Sequence, residues 1–202
     1  MNVAVIDYDL GNLPSVTKAL ERIGVEPLLV DVPEGLTDDL DAVVLPGVGH
    51  FGAGAHNLAE RGLDGALKAW AAEGRPLLGI CVGLQLFFER SEEDPEARGL
   101  GIVPGEVRRL RARKVPHMGW NSVVPSNRSS FVSDMAPEDL AYFVHSFYVD
   151  PAAEFVVATT TYQQRFCSVV EHDNIAGVQF HPEKSAEVGR GVLERFFARI
   201  GS

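Results

Sequence analysis

Pro76-Leu-Leu-Gly-Ile-Cys-Val-Gly-Leu-Gln-Leu-Phe-Phe-Glu89 is the stretch on which the reading of this chain turns. A short apolar strand leads to Cys81, a helix begins after it, and glycine stands two positions to either side, at Gly79 and Gly83. In a sharp strand-to-helix turn, side chains at those two positions would collide with neighbouring backbone, so the spacing predicts a nucleophile elbow carrying cysteine in place of serine. The turn lifts the sulfur out of the sheet and sets it at a helix N-terminus, where unpaired N–H groups favour the thiolate. An ordinary cysteine is a small apolar core residue. The elbow glycines point instead to a reactive thiol, which also requires a base and an oxyanion hole.

Upstream of the elbow the chain alternates strand and helix. Asn2 to Ile6 reads as a buried strand, and a helix follows with Asn12 as its cap, Pro14 in its first turn, Leu13, Val16, Leu20 and Ile23 on one face, and Gly24 as its stop. Val25 to Val30 and Ala42 to Leu45 read as further strands, and a helix bearing Leu63, Ala66, Leu67 and Trp70 ends at Gly74, just ahead of the elbow strand. Downstream of the polar loop Ser91 to Arg98, the short β-like runs of Ile102 to Val124 and Leu140 to Glu171 are antiparallel in character. The chain closes with a strand at Ile175 to Phe180 and a helix from about Ser185. The expectation is an α/β fold, a mostly parallel sheet with helices on both faces plus additional antiparallel strands, in a single domain over residues 1–202.

A chain of 202 residues can bury a sizeable core, and its net charge of −10 opposes binding to nucleic acid or anionic membranes. Two cysteines, Cys81 and Cys167, make neither a disulfide framework nor a metal-finger spacing. No basic leader and no membrane-length apolar run is present, which makes a cytoplasmic protein the expectation.

Gly47-Val-Gly-His-Phe-Gly52 follows a strand and fits the dinucleotide fingerprint GxGxxG. A nicotinamide site, however, wants an acid about twenty residues further on at a strand end, and that strand ends at Cys81. The glycines serve better as donors of backbone N–H to a developing oxyanion, with Gly47, Val48 and Val82 as the candidates. For the base, His181-Pro-Glu183 follows a strand end, and residues two apart in extended backbone point to the same side, so Glu183 can orient the His181 imidazole. His145 is a rival base with no acidic neighbour in sequence, and reads as a substrate contact or a structural residue. His50, His56, His117 and His172 receive no role. Arg108, Arg109, Arg111, Arg113 and Lys114 form the one basic cluster, either a solvated strand face or a docking patch.

The elbow Gly-Ile-Cys-Val-Gly-Leu-Gln together with Val178-Gln-Phe-His-Pro-Glu183 resembles the class I, triad-type glutamine amidotransferases. Within them, Asp7-Tyr-Asp-Leu-Gly-Asn-Leu13, Leu45-Pro-Gly-Val-Gly49, Met118-Gly-Trp-Asn121 and His181-Pro-Glu-Lys-Ser185 look like the glutaminase subunits of imidazole glycerol phosphate synthases. The resemblance runs end to end and implies a flavodoxin-like core. It makes Cys81 the nucleophile, His181 the base and Glu183 its orienting carboxylate, with glutamine contacts from Gly49, Gln85, His145 and Ser146. It further implies ammonia delivery to a cyclase subunit in a heterodimer for histidine biosynthesis, with Trp120, Asn121 and Lys184 at the interface. Neither a metal nor an organic cofactor is implied. Asp9 stands where that family usually has glycine, and Phe147 where tyrosine is more common. A cysteine hydrolase acting alone on γ-glutamyl compounds and a nucleotide-binding protein are the alternatives.

Overall fold

The computed structural model describes residues 1–126 and 130–200. Among the described residues there are five α-helices: α1 (Leu13–Glu21), α2 (Phe51–Glu60), α3 (Leu63–Ala72), α4 (Val82–Gln85) and α5 (Ala186–Ala198). The strands through the elbow are β1 (Asn2–Ile6), β2 (Glu26–Val30), β3 (Ala42–Leu45) and β4 (Leu77–Ile80). Beyond it come β5 (Gly105–Arg109), β6 (His117–Ser122), β7 (Val124–Pro125), β8 (Leu140–His145), β9 (Phe147–Pro151), β10 (Val156–Tyr162), β11 (Gln164–His172) and β12 (Ile175–Val178).

The main sheet runs β2-β1-β3-β4-β12-β11-β10-β7. Its β2-β1-β3-β4-β12 half is parallel, and from β12 onward the pairing turns antiparallel, with β9 joined to β11 and β5 to β9. Because the chain steps from β1 outward to β2 and then back past β1 to β3, right-handed crossovers put α1 on one face and the α2–α3 pair on the other. On the first face α1 and α5 share the walls of one cavity, through Ala19 of α1, Arg22 at its C-cap, and Ala186, Glu187, Arg190 and Leu193 of α5. Every residue of β3 and β4 is buried, as β-branched and aliphatic strands covered on both faces should be. Among the described residues no helix is long and apolar enough to cross a membrane.

The elbow glycines are required by close approach. A Cβ on Gly83 would fall 1.8 Å from the Leu45 carbonyl oxygen, and one on Gly79 would meet the Leu84 backbone at 2.7 Å. Three sequence expectations need revision. The glycine-rich run does not stay a loop to Gly52, because α2 starts at Phe51. Its glycines lower helix propensity, yet a Cβ on Gly52 would lie 2.0 Å from the Asp94 carboxylate and one on Gly54 would press on Leu86, so packing overrides propensity. The helix after the elbow is a single turn, so any help it gives the thiolate comes from local N–H groups rather than from a long macrodipole. Asn12 occupies the N-cap position of α1 but makes no side-chain cap hydrogen bond.

Candidate active site

Strand order brings the site together. β3, β4 and β12 are parallel neighbours with Leu45 opposite Gly79 and Ile80 opposite Val178, so the segments leaving their carboxyl ends emerge side by side. Those segments are the loop from Pro46, the Cys81 elbow and Gln179 to Glu183, at the edge of the sheet where ligands of open α/β folds gather. They open on a cavity of about 210 Å³ whose lining includes Gly49, Cys81, Gln85, Glu93, His145 and His181.

Cys81 adopts φ 56° and ψ −107°, a region costly for a residue with a Cβ, and it is held there by its N–H donating to the Val178 carbonyl at 2.8 Å. His181 and Glu183 meet through Nδ1 and Oε1 at 2.8 Å, both side chains almost wholly buried. This leaves Nε2 as the outward nitrogen, and it has no hydrogen-bond partner among the described residues. Burial works against the charged imidazolium, but the Cys81 thiolate and the Glu183 carboxylate outweigh it and raise the proton affinity of His181. The His181 backbone is fixed as well. Its N–H donates to the Tyr142 carbonyl at 2.9 Å, and Ser185 Oγ donates to its carbonyl at 2.6 Å while accepting the Tyr142 N–H at 2.9 Å. In sequence Ser185 marks only the start of the last helix and the end of the His181-Pro-Glu-Lys-Ser185 motif, with no role of its own.

Both nitrogens of His145 are occupied. Its Nδ1 faces the Phe147 carbonyl at 2.9 Å, so that nitrogen carries the proton, and its Nε2 accepts from His117 Nδ1 at 2.9 Å. Burial pushes it down to about 3, aided by the neighbouring His117 and His181 rings. His117, assigned no role from sequence, is the partner that fixes this tautomer, and Asn121 Nδ2 donates to its far nitrogen at 3.2 Å. Burial pushes His117 down to about 4.

Of the other predicted residues, Gly49, Gln85, His145 and Ser146 all line the cavity with Val48 and Val82. The Val82 N–H donates to the Gly47 carbonyl at 3.4 Å, so Gly47 turns its oxygen, not a donor, toward the elbow in this arrangement. Tyr8, whose hydroxyl donates to the Pro46 carbonyl at 2.6 Å, anchors that loop from beneath. Burial pushes the Tyr8 phenol up, and the charge of Cys81 acts in the same direction. Glu93 is a lining residue the sequence did not single out, since a lone carboxylate in a polar loop carries no spacing signal.

The glycine loop is no phosphate cradle. The first N–H groups of α2 are already occupied, Phe51 N–H by the Glu93 carboxylate at 2.7 Å and Gly52 N–H by His50 Nδ1 at 3.1 Å, and a carboxylate there repels phosphate. Among the described residues no cluster of three or more His, Cys, Asp or Glu is placed to hold a metal ion.

Trp120, Asn121 and Lys184 lie away from the cavity floor. Trp120 is 52% exposed and Met118 63%. With Met118 opposite Val144, Trp120 opposite Tyr142 and Ser122 opposite Leu140, one face of the β6–β8 sheet presents Met118, Trp120, Leu140 and Tyr142 outward. Arg108 of the basic cluster pairs with Glu106 at 2.7 Å and Asp150 at 3.0 Å, exposed contacts of a strand face. Asp9 sits at φ 64°, the left-handed region that glycine occupies without cost, and Arg61 pairs with its carboxylate.

The model of the family described as glutamine amidotransferase class-I matches residues 4–200. The chain belongs to the class I glutamine amidotransferase family. Within this family it is 48% identical to the imidazole glycerol phosphate synthase subunit HisH of Carboxydothermus hydrogenoformans, over 94% of this chain and 96% of that protein. It is 46% identical to the HisH subunit of Bacillus subtilis, over 96% and 94%. Solved structures agree on the class I amidotransferase fold. PurLQS from Thermotoga maritima superposes with a TM-score of 0.80 at 20% identity, covering 98% of each chain, and a crystal structure of a glutamine amidotransferase with 0.78 at 21% identity, covering 99% of each.

Proposed function

We propose that this chain is the glutaminase subunit of an imidazole glycerol phosphate synthase, acting in the cytoplasm with a cyclase subunit that consumes the ammonia it releases. The observation that carries the chemistry is the buried line Glu183, His181, Cys81, ending at a strained elbow on the floor of a small cavity. The HisH relatives, similar over nearly their whole length and named as synthase subunits, support the reading of a subunit that works with a partner.

In this reading the Cys81 thiolate attacks the side-chain amide carbon of glutamine and forms a C–S bond. His181 Nε2 gives its proton to the amide nitrogen, the C–N bond breaks, and ammonia leaves with a γ-glutamyl thioester behind it. A water then attacks the thioester while Nε2 takes its proton, the C–S bond breaks, and glutamate and the thiolate–imidazolium pair are restored. Glu183 holds the proton-bearing Nδ1 throughout, which keeps Nε2 aimed at the sulfur side. Glu93 at the cavity wall is a charge partner for the substrate's α-ammonium, and Gly49, Gln85, His145 and Ser146 complete the cavity. Val48 and Val82 N–H serve as oxyanion donors once the loop is rearranged. Thiolate, imidazole and backbone donors suffice for this acyl transfer, and no step calls for a metal or an organic cofactor.

The outward face of Met118, Trp120, Leu140 and Tyr142, with Asn121 and the exposed Lys184 nearby, is the proposed cyclase interface. A contiguous apolar patch of this kind marks a protein contact, and it favours a partnered enzyme over a solitary hydrolase. The test is glutamate release by the wild type and by Cys81→Ser in complex with the cyclase. The variant should lose glutamine-dependent synthesis yet support synthesis from added ammonium salt. Retained glutamine use would overturn the assignment.

A further inference from the structure

Between the elbow and the far wall of the site lies a pair of buried glutamines whose bonds to each other and to the elbow the reaction as described does not use. Gln179 is fully buried, and Gln85 is 3% exposed. The two hydrogens of Gln85 Nε2 are directed at the Phe147 carbonyl, 2.9 Å away, and at Gln179 Oε1, 3.2 Å away. Gln179 Nε2 in turn lies 3.7 Å from Cys81 Sγ. The order of atoms settles the orientation of the second amide. Turned over, Gln179 would set its NH₂ against the NH₂ of Gln85 and its carbonyl oxygen against the sulfur, losing one hydrogen bond and repelling a thiolate.

We propose that Gln179 is a catalytic residue that donates a hydrogen bond to the Cys81 sulfur, and that Gln85 is the positioning residue that aims it. The inference rests on the assignment of Cys81 as nucleophile. Its neighbourhood supports it on geometry alone: Val178 accepts the Cys81 N–H at 2.8 Å, and the next residue of the same segment is Gln179, itself pinned by its N–H to the Ser168 carbonyl at 2.9 Å. A buried amide with a fixed donor direction is costly to build beside an inert thiol, because a wholly buried polar group needs a partner.

The bond does chemistry through its dependence on charge. A donor interacts more strongly with S⁻ than with a neutral thiol or a thioester sulfur. It therefore favours the ionised nucleophile before attack and the departure of S⁻ when water cleaves the thioester. It is weakest in the acylated enzyme between those two points. Gln179 thus complements His181: the imidazole moves protons, and the amide holds the sulfur's charge without one.

The test follows alkylation of Cys81 by iodoacetamide across pH, with the modified peptide identified by mass spectrometry in the complex with the cyclase. Cys167 does not interfere, since it is buried and burial pushes its thiol up to about 12. Gln179→Met keeps length and packing but removes the donor. A hydrogen bond to a charged group is worth enough for roughly a tenfold effect, so alkylation below the plateau should slow about tenfold, with the profile moved to higher pH and the plateau rate kept. In rapidly quenched turnover samples the γ-glutamyl thioester should accumulate relative to wild type. Gln85→Met frees the Gln179 amide to turn and should move the profile in the same direction by less, and it carries the test if Gln179→Met does not fold. A profile unchanged in a folded variant overturns the role of Gln179. A wild-type Cys81 that resists alkylation at every pH overturns the nucleophile assignment instead.

Discussion

The carbonyl oxygen of Gly47 accepts the backbone N–H of Val82 at 3.4 Å. A trans peptide is planar, with its C=O and N–H on opposite sides, so the Val48 N–H of the same peptide points away from the elbow. Two expected oxyanion donors are thereby withdrawn together, and one rotation of the Gly47–Val48 peptide would restore both. Gly47, which has no Cβ and contributes ψ to that peptide, lowers the resistance to the rotation. One missing oxyanion donor costs on the order of 100- to 1,000-fold in turnover. The isolated chain should therefore release glutamate slowly and accelerate by at least that order when the cyclase and its nucleotide substrate, or an unreactive analogue, are bound. Measuring glutamate release alone, with cyclase, and with cyclase plus nucleotide decides the matter. Equal rates in the three conditions would exclude a switch at this peptide.

Proton transfer and orientation are separable at His181 and Glu183. His181→Ala removes the only imidazole with a free buried nitrogen in the cavity and should lower turnover on the order of 100- to 10,000-fold. Glu183→Gln keeps a group beside Nδ1 but removes the charge that favours the imidazolium, and should cost less than His181→Ala. His145→Ala leaves the proton path intact, because neither nitrogen of that ring is available to the substrate. Ammonia-driven synthesis by the cyclase should survive all three, which separates chemistry from folding. A His145→Ala loss exceeding that of His181→Ala would reverse the assignment of the base.

Much of this site was legible in sequence, and the division has a physical basis. Gly79, Gly83, His181 and Glu183 announce themselves because their constraints are local: a turn that excludes Cβ, and an imidazole and a carboxylate two residues apart, which meet not along extended backbone, as expected, but where Pro182–Lys184 turns into a 3-10 helix. Gln179 lay inside a recognised motif without a role, since its partners Gln85 and Cys81 are brought to it by the β4–β12 pairing. His117 was dismissed for the same reason, its partner standing across the β6–β8 register. Helix α2 was missed because its glycines look like loop and only the packing against Asp94 and Leu86 explains them.

The His117–His145 pair predicts an acid limb in stability. Both folded-state values are depressed by burial, to about 4 and about 3, so the unfolded chain binds protons that the folded chain refuses. Their contribution is fully present above the ordinary histidine value of about 6.5 and is lost as pH falls toward those folded values. His181 has the opposite sign: its raised proton affinity contributes in full below about 6.5 and is lost on the alkaline side, so it does not produce the acid limb. Each refused proton steepens the decline by up to about 1.4 kcal/mol per pH unit. Urea unfolding between pH 7 and pH 5, a range set around about 6.5, should show this slope. His117→Phe keeps the stacking on Phe143 and Tyr162 and should roughly halve it. A slope that the substitution leaves unchanged would mean that His117 is not held neutral in the fold.

The resemblance places Trp120 at an interface, and its 52% exposure fits a contact surface and not a core position. Its ring packs edge-on against Tyr142, with centroids 5.9 Å apart, and Tyr142 is the residue whose carbonyl holds the His181 N–H. A partner seated on Trp120 therefore bears on the strand that positions the base, two residues removed from the chemistry. Large exposed aromatics at the centre of a contact act as anchors, and truncating one costs about 2 kcal/mol or more, which is roughly 30-fold in affinity. Trp120→Ala should weaken association with the cyclase by that order while leaving the thermal unfolding of the isolated chain within about 0.5 kcal/mol of wild type, as surface substitutions do. Titration calorimetry with the cyclase and a melting curve of the isolated chain give the two numbers. Unfolding of the isolated variant would make Trp120 a packing residue of the fold, whereas unchanged affinity would place the cyclase on another face, and the exposed Met118 and Leu140 beside Trp120 would then need a different occupant.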